Sequence, residues 1–145
     1  MPLPVGTEAP NFTAKDTKGN TVSLSDLKGK TVVLYFYPKD DTPGCTKQAC
    51  SFRDAQPQYQ SKDIVVLGVS ADDQASHQAF TDKYNLNFPL LVDTEKSLIS
   101  SYDVDGGGYA KRVTYVIDGS GKIVKVDETV NTTTHAEDVL KSLGL

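Results

Sequence analysis

Two runs of the chain carry almost no polar residue, Thr31-Val32-Val33-Leu34-Tyr35-Phe36-Tyr37 and Ile64-Val65-Val66-Leu67-Gly68-Val69-Ser70. Both are of strand length, rich in β-branched and aromatic residues, and lack the alternation of a half-exposed strand. Each therefore predicts a strand buried on both faces. Between them the spacing turns helical. A helix is expected from about Pro43, faltering at Gln56 because Pro57 cannot supply the hydrogen bond of an interior position. Ala49, Phe52 and Arg53 share part of one face of it. After the second run, Asp72-Asp73 can cap a helix in which Ser76, Phe80 and Tyr84 recur at helical spacing. Phe88 to Asp93 predicts a short strand, placed nearer a sheet edge by Pro89. Thr94 to Ser101 predicts a short helix with Thr94 as its cap.

The two ends of the chain add hairpins. Phe12-Thr13-Ala14 and Thr21-Val22-Ser23-Leu24 flank the turn-rich cluster Asp16-Thr17-Lys18-Gly19-Asn20, which predicts a β-hairpin. Ser25-Asp26-Leu27 predicts one helical turn. Asp105-Gly106-Gly107-Gly108 reads as a flexible loop, since a phosphate-binding glycine run needs a strand before it and a helix after it. Val113 to Asp118, Gly119-Ser120-Gly121 and Lys122 to Asp127 form a strand–turn–strand unit. The last helix is expected to start at Thr134, with Glu137 completing a capping box, Val139, Leu140 and Leu143 as its apolar stripe and Gly144 closing it. Strands alternating with helices, followed by a hairpin, predict an α/β fold: a mixed central sheet with helices on both faces and an N-terminal β-hairpin.

Composition narrows the picture. A chain of 145 residues fits one domain spanning 1–145, with a core that needs no staples. Net charge of −4 and a pI near 5.0 argue against nucleic-acid and anionic-membrane partners. No apolar run approaches a membrane span, and Met1-Pro2-Leu3-Pro4-Val5-Gly6 has neither the basic segment nor the apolar core of a signal peptide. The two cysteines suit a reducing compartment, the cytoplasm or an organelle stroma after removal of a transit segment.

Those cysteines, Cys45 and Cys50, carry the chemistry. Thr42 is a good N-cap and Pro43 suits the first helical position, where its missing N–H would be unpaired anyway. Cys45 then falls near the third position, where unpaired N–H groups and the positive end of the helix dipole favour an anion. A thiolate is such an anion, and thiols at helix starts become nucleophiles in this way. Cys50 lies five positions on, about 140° round an ideal helix and roughly 7.5 Å along it. A disulfide wants Cα atoms within about 4.4–6.8 Å, so the two thiols join only if the start of the helix unwinds. A static bridge is disfavoured by the same geometry, while burial of Cys50 as a core thiol stays open. A metal or iron–sulfur site needs four ligands, and the distant His77 and His135 do not complete one; no cofactor is expected. Both histidines read as solvent-facing helix residues, Asp40 and Asp41 as a solvated turn, and Phe36 and Tyr37 as core or pocket wall. On spacing alone Arg112 reads as a surface arginine.

A strand followed by Pro-x-x-x-Thr-x-x-Cys opening a helix resembles the peroxiredoxin signature, met here by Pro38, Thr42 and Cys45. The longer string Tyr35-Phe36-Tyr37-Pro38-Lys39-Asp40-Asp41-Thr42-Pro43-Gly44-Cys45-Thr46-Lys47-Gln48-Ala49-Cys50 is similar to the peroxiredoxin Q branch, also called the bacterioferritin comigratory protein group. The resemblance extends from Gly6-Thr7-Glu8-Ala9-Pro10-Asn11-Phe12 through Arg112-Val113-Thr114-Tyr115-Val116-Ile117-Asp118. It implies a thioredoxin-like fold and a thiol peroxidase reducing hydrogen peroxide and organic hydroperoxides. Cys45 matches the peroxidatic cysteine, which becomes a sulfenic acid. Thr42 matches the hydroxyl that orients the peroxide, and Arg112 the active-site arginine. Pro38 and Pro43 match pocket-shaping prolines, with Gly44 and Tyr37 beside them in the substrate pocket. Cys50 matches the resolving cysteine, implying an intrachain Cys45–Cys50 disulfide re-reduced by thioredoxin or a similar dithiol. Gln48 stands where many peroxiredoxins carry a glutamate. The resemblance also implies a monomer. Two other functions fit the same residues: a general thiol–disulfide oxidoreductase acting on protein disulfides, and a redox-sensing or chaperone-like binding module.

Overall fold

The computed structural model describes residues 2–145. Among the described residues, seven strands and four α-helices follow one another. β1 (Thr13–Asp16) and β2 (Thr21–Ser23) lead through a 3-10 turn at Leu24–Leu27 into β3 (Thr31–Phe36). Next come α1 (Pro43–Ser61), β4 (Ile64–Ser70), α2 (Gln74–Tyr84), β5 (Leu90–Val92) and α3 (Ser97–Ser101). β6 (Val113–Ile117), β7 (Ile123–Asp127) and α4 (His135–Ser142) complete it. All seven strands form one sheet in the order β2-β1-β5-β4-β3-β6-β7. β3, β4 and β5 run parallel, while β6 runs antiparallel to β3 and β1 antiparallel to β5. The expected mixed sheet with an N-terminal hairpin is present.

The continuous apolar run of β3 has the consequence its composition implies. Val33, Tyr35 and Tyr37 point into one core with Ala49, Phe52 and Tyr59 of α1, Phe80 of α2 and Val139 of α4. Val32, Leu34 and Phe36 point into a second core with Leu24, Leu98, Ile99 and Tyr102. Successive strand side chains face opposite sides, so both faces of β3 are covered. Tyr35 stacks on Phe52 with ring centroids 4.8 Å apart, tying the sheet to α1. Such a pair is worth about 0.5–1.5 kcal/mol beyond its buried area.

Three expectations are corrected. α1 does not falter at Gln56 but continues to Ser61 with Pro57 inside it. Proline leaves the carbonyl four residues earlier without its helical partner, and here Asn87 Nδ2 donates to that carbonyl, Arg53 O, at 3.2 Å. β5 is interior, paired on both sides by β1 and β4; Pro89 lies just before it, where its missing N–H breaks no ladder. α3 is not capped by Thr94. Its N-cap is Lys96, in a left-handed conformation, and the Asp93 carboxylate accepts from Leu98 N–H and Ile99 N–H.

Candidate active site

The site lies where β3 ends and α1 begins. Thr42 is the N-cap residue of α1 and Pro43 its first-turn proline, and the first intrahelical bond runs from Thr46 N–H to Thr42 O at 2.8 Å. Cys45 therefore occupies the third helical position, as its spacing predicts. The amides of Gly44 and Cys45 precede that first bond and present donors at the positive end of a 19-residue helix. The Thr42 side chain does not close the cap in the expected way. Its hydroxyl donates instead to Lys39 O at 2.8 Å, which commits its proton and leaves its lone pairs free to accept.

Arg112, immediately before β6, brings a cation to the sulfur from another element. Its Nη2 donates to Cys45 Sγ at 3.3 Å and its Nη1 to Gln48 Oε1 at 2.6 Å. β3 and β6 pair with Phe36 opposite Val113, so the sheet register sets Arg112 beside the β3–α1 turn. Gln48 lies one helical turn beyond Cys45 and is fully buried. Its carbonyl holds the guanidinium, while among the described residues its Nε2 has no hydrogen-bond partner. Cys45 is 1% exposed, whereas Arg112, Thr42, Pro38 and Gly44 are half-buried and Pro43 is exposed. The sulfur is thus shielded from bulk water. Gly44 leaves room for the guanidinium there: a Cβ on it would stand 3.1 Å from Arg112 Nη2 and 3.8 Å from Thr132 Cγ2. Thr132, from the β7–α4 connection, is a wall residue that no local spacing announces.

Tyr37 is buried and belongs to the core beneath the site. Burial first, and the Asp40 charge next, push its phenol well above the usual range, so it acts as a neutral donor. Its hydroxyl donates to Asp40 Oδ1 at 2.6 Å. Tyr35, packed against the Tyr37 ring, is pushed up by burial and then by the Cys45 charge.

Three of the polar residues read as surface depart from expectation. Asp40 is buried, accepting from Tyr37 and from Ser76 Oγ at 2.8 Å, and meets His77 Nδ1 at 2.7 Å. Asp41 is exposed as expected and binds Lys83 Nζ and Tyr84 Oη, both at 2.8 Å. His77 and His135 are not solvent-facing but fully or almost fully buried. His135 Nε2 lies 3.0 Å from Thr114 Oγ1 and its ring meets Phe52 edge-on; burial lowers its pKa. The available signal was position: His77 precedes Phe80 by three residues and His135 precedes Val139 by four, placing each on its helix's apolar stripe.

Both cysteines are free, Cys45 buried and Cys50 half-buried, and both lie within α1. Among the described residues no group of three His, Cys, Asp or Glu side chains could hold a metal ion, and no helix is long and apolar enough to cross a membrane.

A buried thiol at a helix start, met by an arginine from the neighbouring strand of a mixed sheet, defines the class as a thioredoxin-fold thiol protein. The AhpC/TSA family model matches residues 5–126. Peroxiredoxin Bcp of Bacillus subtilis is 43% identical over 151 aligned positions, covering 99% of this chain and 96% of the relative. The crystal structure of a cysteine-to-serine variant of Xylella fastidiosa PrxQ superposes with a TM-score of 0.92 at 32% identity, covering 98% of this chain and 96% of that one. The Xanthomonas campestris bacterioferritin comigratory protein superposes with a TM-score of 0.86 at 30% identity over 92% of this chain and 90% of that one; its alkyl peroxide reduction activity has been analysed from trapped intermediate and ligand complexes. The chain belongs to the AhpC/TSA family, as a peroxiredoxin of the Q/Bcp type, a thiol peroxidase.

Proposed function

We propose that this chain reduces peroxides through Cys45, with Cys50 as the resolving thiol and a dithiol protein of the thioredoxin class as reductant. The single observation that carries the reading is Arg112 Nη2 at 3.3 Å from Cys45 Sγ, at the open start of α1. Helix amides and the guanidinium stabilise negative charge on the sulfur and on the oxygen that leaves it. The sulfur attacks one peroxide oxygen, the O–O bond breaks, and the other oxygen departs as alcohol or water after taking up a proton. Cys45 is left as sulfenic acid. Thr42, its own proton held by Lys39 O, accepts the peroxide O–H and aligns the O–O bond with the sulfur. The Cys50 thiolate then attacks Cys45 Sγ, water leaves, and a disulfide forms that the dithiol reduces by exchange.

Alkyl hydroperoxides are included among the substrates by analogy with the Xanthomonas campestris relative, and one domain acting as a monomer in a reducing compartment is the expected working form. The test is peroxide consumption with NADPH, thioredoxin reductase and thioredoxin. Cys45→Ser is expected to abolish it. Cys50→Ser is expected to consume one peroxide per chain and then stall, or to turn over with a small thiol. Fast insulin reduction with negligible peroxide consumption would transfer the assignment to a general disulfide oxidoreductase.

A further inference from the structure

Asp40 and His77 form a buried polar unit that the reaction does not use. Their side chains are 3% and 0% exposed and meet at 2.7 Å. The other ring nitrogen, His77 Nε2, faces Leu91 O of β5 at 2.8 Å. A carbonyl only accepts, so Nε2 carries a proton, and a second proton lies across the Nδ1–Oδ2 contact. With both nitrogens engaged, the ring cannot rotate. The carboxylate is equally constrained, because Tyr37, just after β3, and Ser76 of α2 also donate to it. The backbone of the same residue is held too: Asp40 N–H donates to Asp72 Oδ2 at 2.8 Å, and Ser70 Oγ donates to that same oxygen at 2.7 Å.

Burying such a pair is expensive compared with an apolar pair of the same shape. Its position shows what it secures. Asp40 lies in the turn between β3 and α1, followed by Asp41 in a left-handed conformation at φ 56 and by Thr42, whose hydroxyl returns to Lys39 O. The sequence of contacts therefore runs from β5 through His77 to Asp40, through the turn to Thr42, and into the first turn of α1 with Cys45. Arg112 approaches the sulfur from β6, on the other side of β3. The relation between Thr42, Cys45 and Arg112 is thus fixed by how firmly this turn is held to the far side of the sheet.

We propose that Asp40 and His77 are positioning residues, which lock the β3–α1 turn so that Thr42 and Arg112 converge on one peroxide at Cys45. The proposal rests on the peroxidase reading of this site. A small misplacement of reacting groups costs up to about a hundredfold in rate, whereas alkylation of the same thiol needs neither Thr42 nor an aligned O–O bond.

The experiment compares two second-order rate constants in the reduced full chain, all in a Cys50→Ser background. One is oxidation by hydrogen peroxide, measured in competition with a haem peroxidase; the other is alkylation of Cys45 by iodoacetamide. His77→Leu is expected to lower the peroxide constant by about ten- to a hundredfold while alkylation changes less than about threefold. Asp40→Asn, which keeps the shape and loses the charge, is expected to show the same split at about five- to tenfold. Urea unfolding establishes that each variant is folded, and if His77→Leu does not fold, Asp40→Asn decides. Peroxide constants within about threefold of the parent in folded variants, or peroxide and alkylation rates falling together, would overturn the proposal. A parent protein that reacts with peroxide no faster than a free small thiol would instead overturn the peroxidase reading, so the two failures are distinct.

Discussion

Gln48 is the residue on which the guanidinium of Arg112 leans. It offers Arg112 a neutral acceptor at 2.6 Å, so the cation is oriented without being cancelled, and its charge stays directed at the sulfur. Gln48→Leu removes the acceptor and also removes the buried, unpartnered Nε2. The peroxide rate constant is therefore expected to fall about tenfold, equivalent to about 1.4 kcal/mol of transition-state stabilisation. The urea midpoint should change little, because the half-buried guanidinium can turn to water. Unchanged peroxide kinetics would show that Arg112 orients itself. Gly44 presses on the same group from above. In Gly44→Ala the new methyl stands 3.1 Å from the flexible end of Arg112, so the side chain yields and the fold survives. A loss of about three- to tenfold in peroxide rate is expected, read by the same competition kinetics, with melting temperature nearly unchanged.

At the scale of elements, α1 passes through a proline because a distant side chain replaces the missing bond. Asn87→Ala leaves Arg53 O without its donor at 3.2 Å and is expected to cost about 0.5–1.5 kcal/mol in urea unfolding. Pro57→Ala restores the backbone N–H that Arg53 O lacks. In that background the Asn87→Ala penalty should shrink by at least half, a coupling that a double-mutant cycle measures. Equal penalties in both backgrounds would mean that Asn87 stabilises its own loop and not the helix. The same pair shows where reading the chain runs out. Residue type and local spacing were enough for β3 and β4, for the hairpin, and for Cys45 at the third position of α1, since cap, proline and thiol lie within four residues. They were not enough for the length of α1, because Asn87 is thirty residues from Pro57. Nor could they bring β5 inside the sheet, whose partners come from Asp16 and Ser70. His77 and His135 read as surface because the oxygens they meet in the interior, Leu91 O and Thr114 Oγ1, belong to other elements. The capping box with Glu137 does not form: the Thr134 hydroxyl donates to Asp138 and the Thr134 N–H to Asn131 O. Arg112 was legible only through family resemblance, since nothing in its own neighbourhood marks it as facing a thiol.

For the molecule as a whole, proton uptake and oxidation act on the same seam, the contact of α1 with α4. Burial lowers the pKa of His135 below 6.5, so on acidification through 6.5 the unfolded chain binds a proton that the folded chain does not. Stability must therefore fall with falling pH in this window and be recovered above it. His135→Gln is expected to flatten this part of the profile, seen as a smaller difference between urea midpoints at about pH 7.5 and pH 5.5; an identical difference in both proteins would assign the slope to other groups. Oxidation reaches the seam from the other end. Joining Cys45 to Cys50 requires the first turns of α1 to open, as both lie in one helix. The remainder of α1 is firmly held: Ser51 Oγ accepts from Ala136 N–H at 3.1 Å, Phe52 stacks on Tyr35, and Tyr59 Oη donates to Ala136 O at 2.7 Å. Unwinding should stop at Ser51 and leave α4 docked. One equivalent of peroxide is then expected to remove two hydrogens by mass and lower the helical circular dichroism, while the Ala136 amide stays protected from hydrogen exchange. A disulfide formed without loss of helicity would contradict the geometry of α1, and loss of protection at Ala136 would show that the opening spreads across the seam.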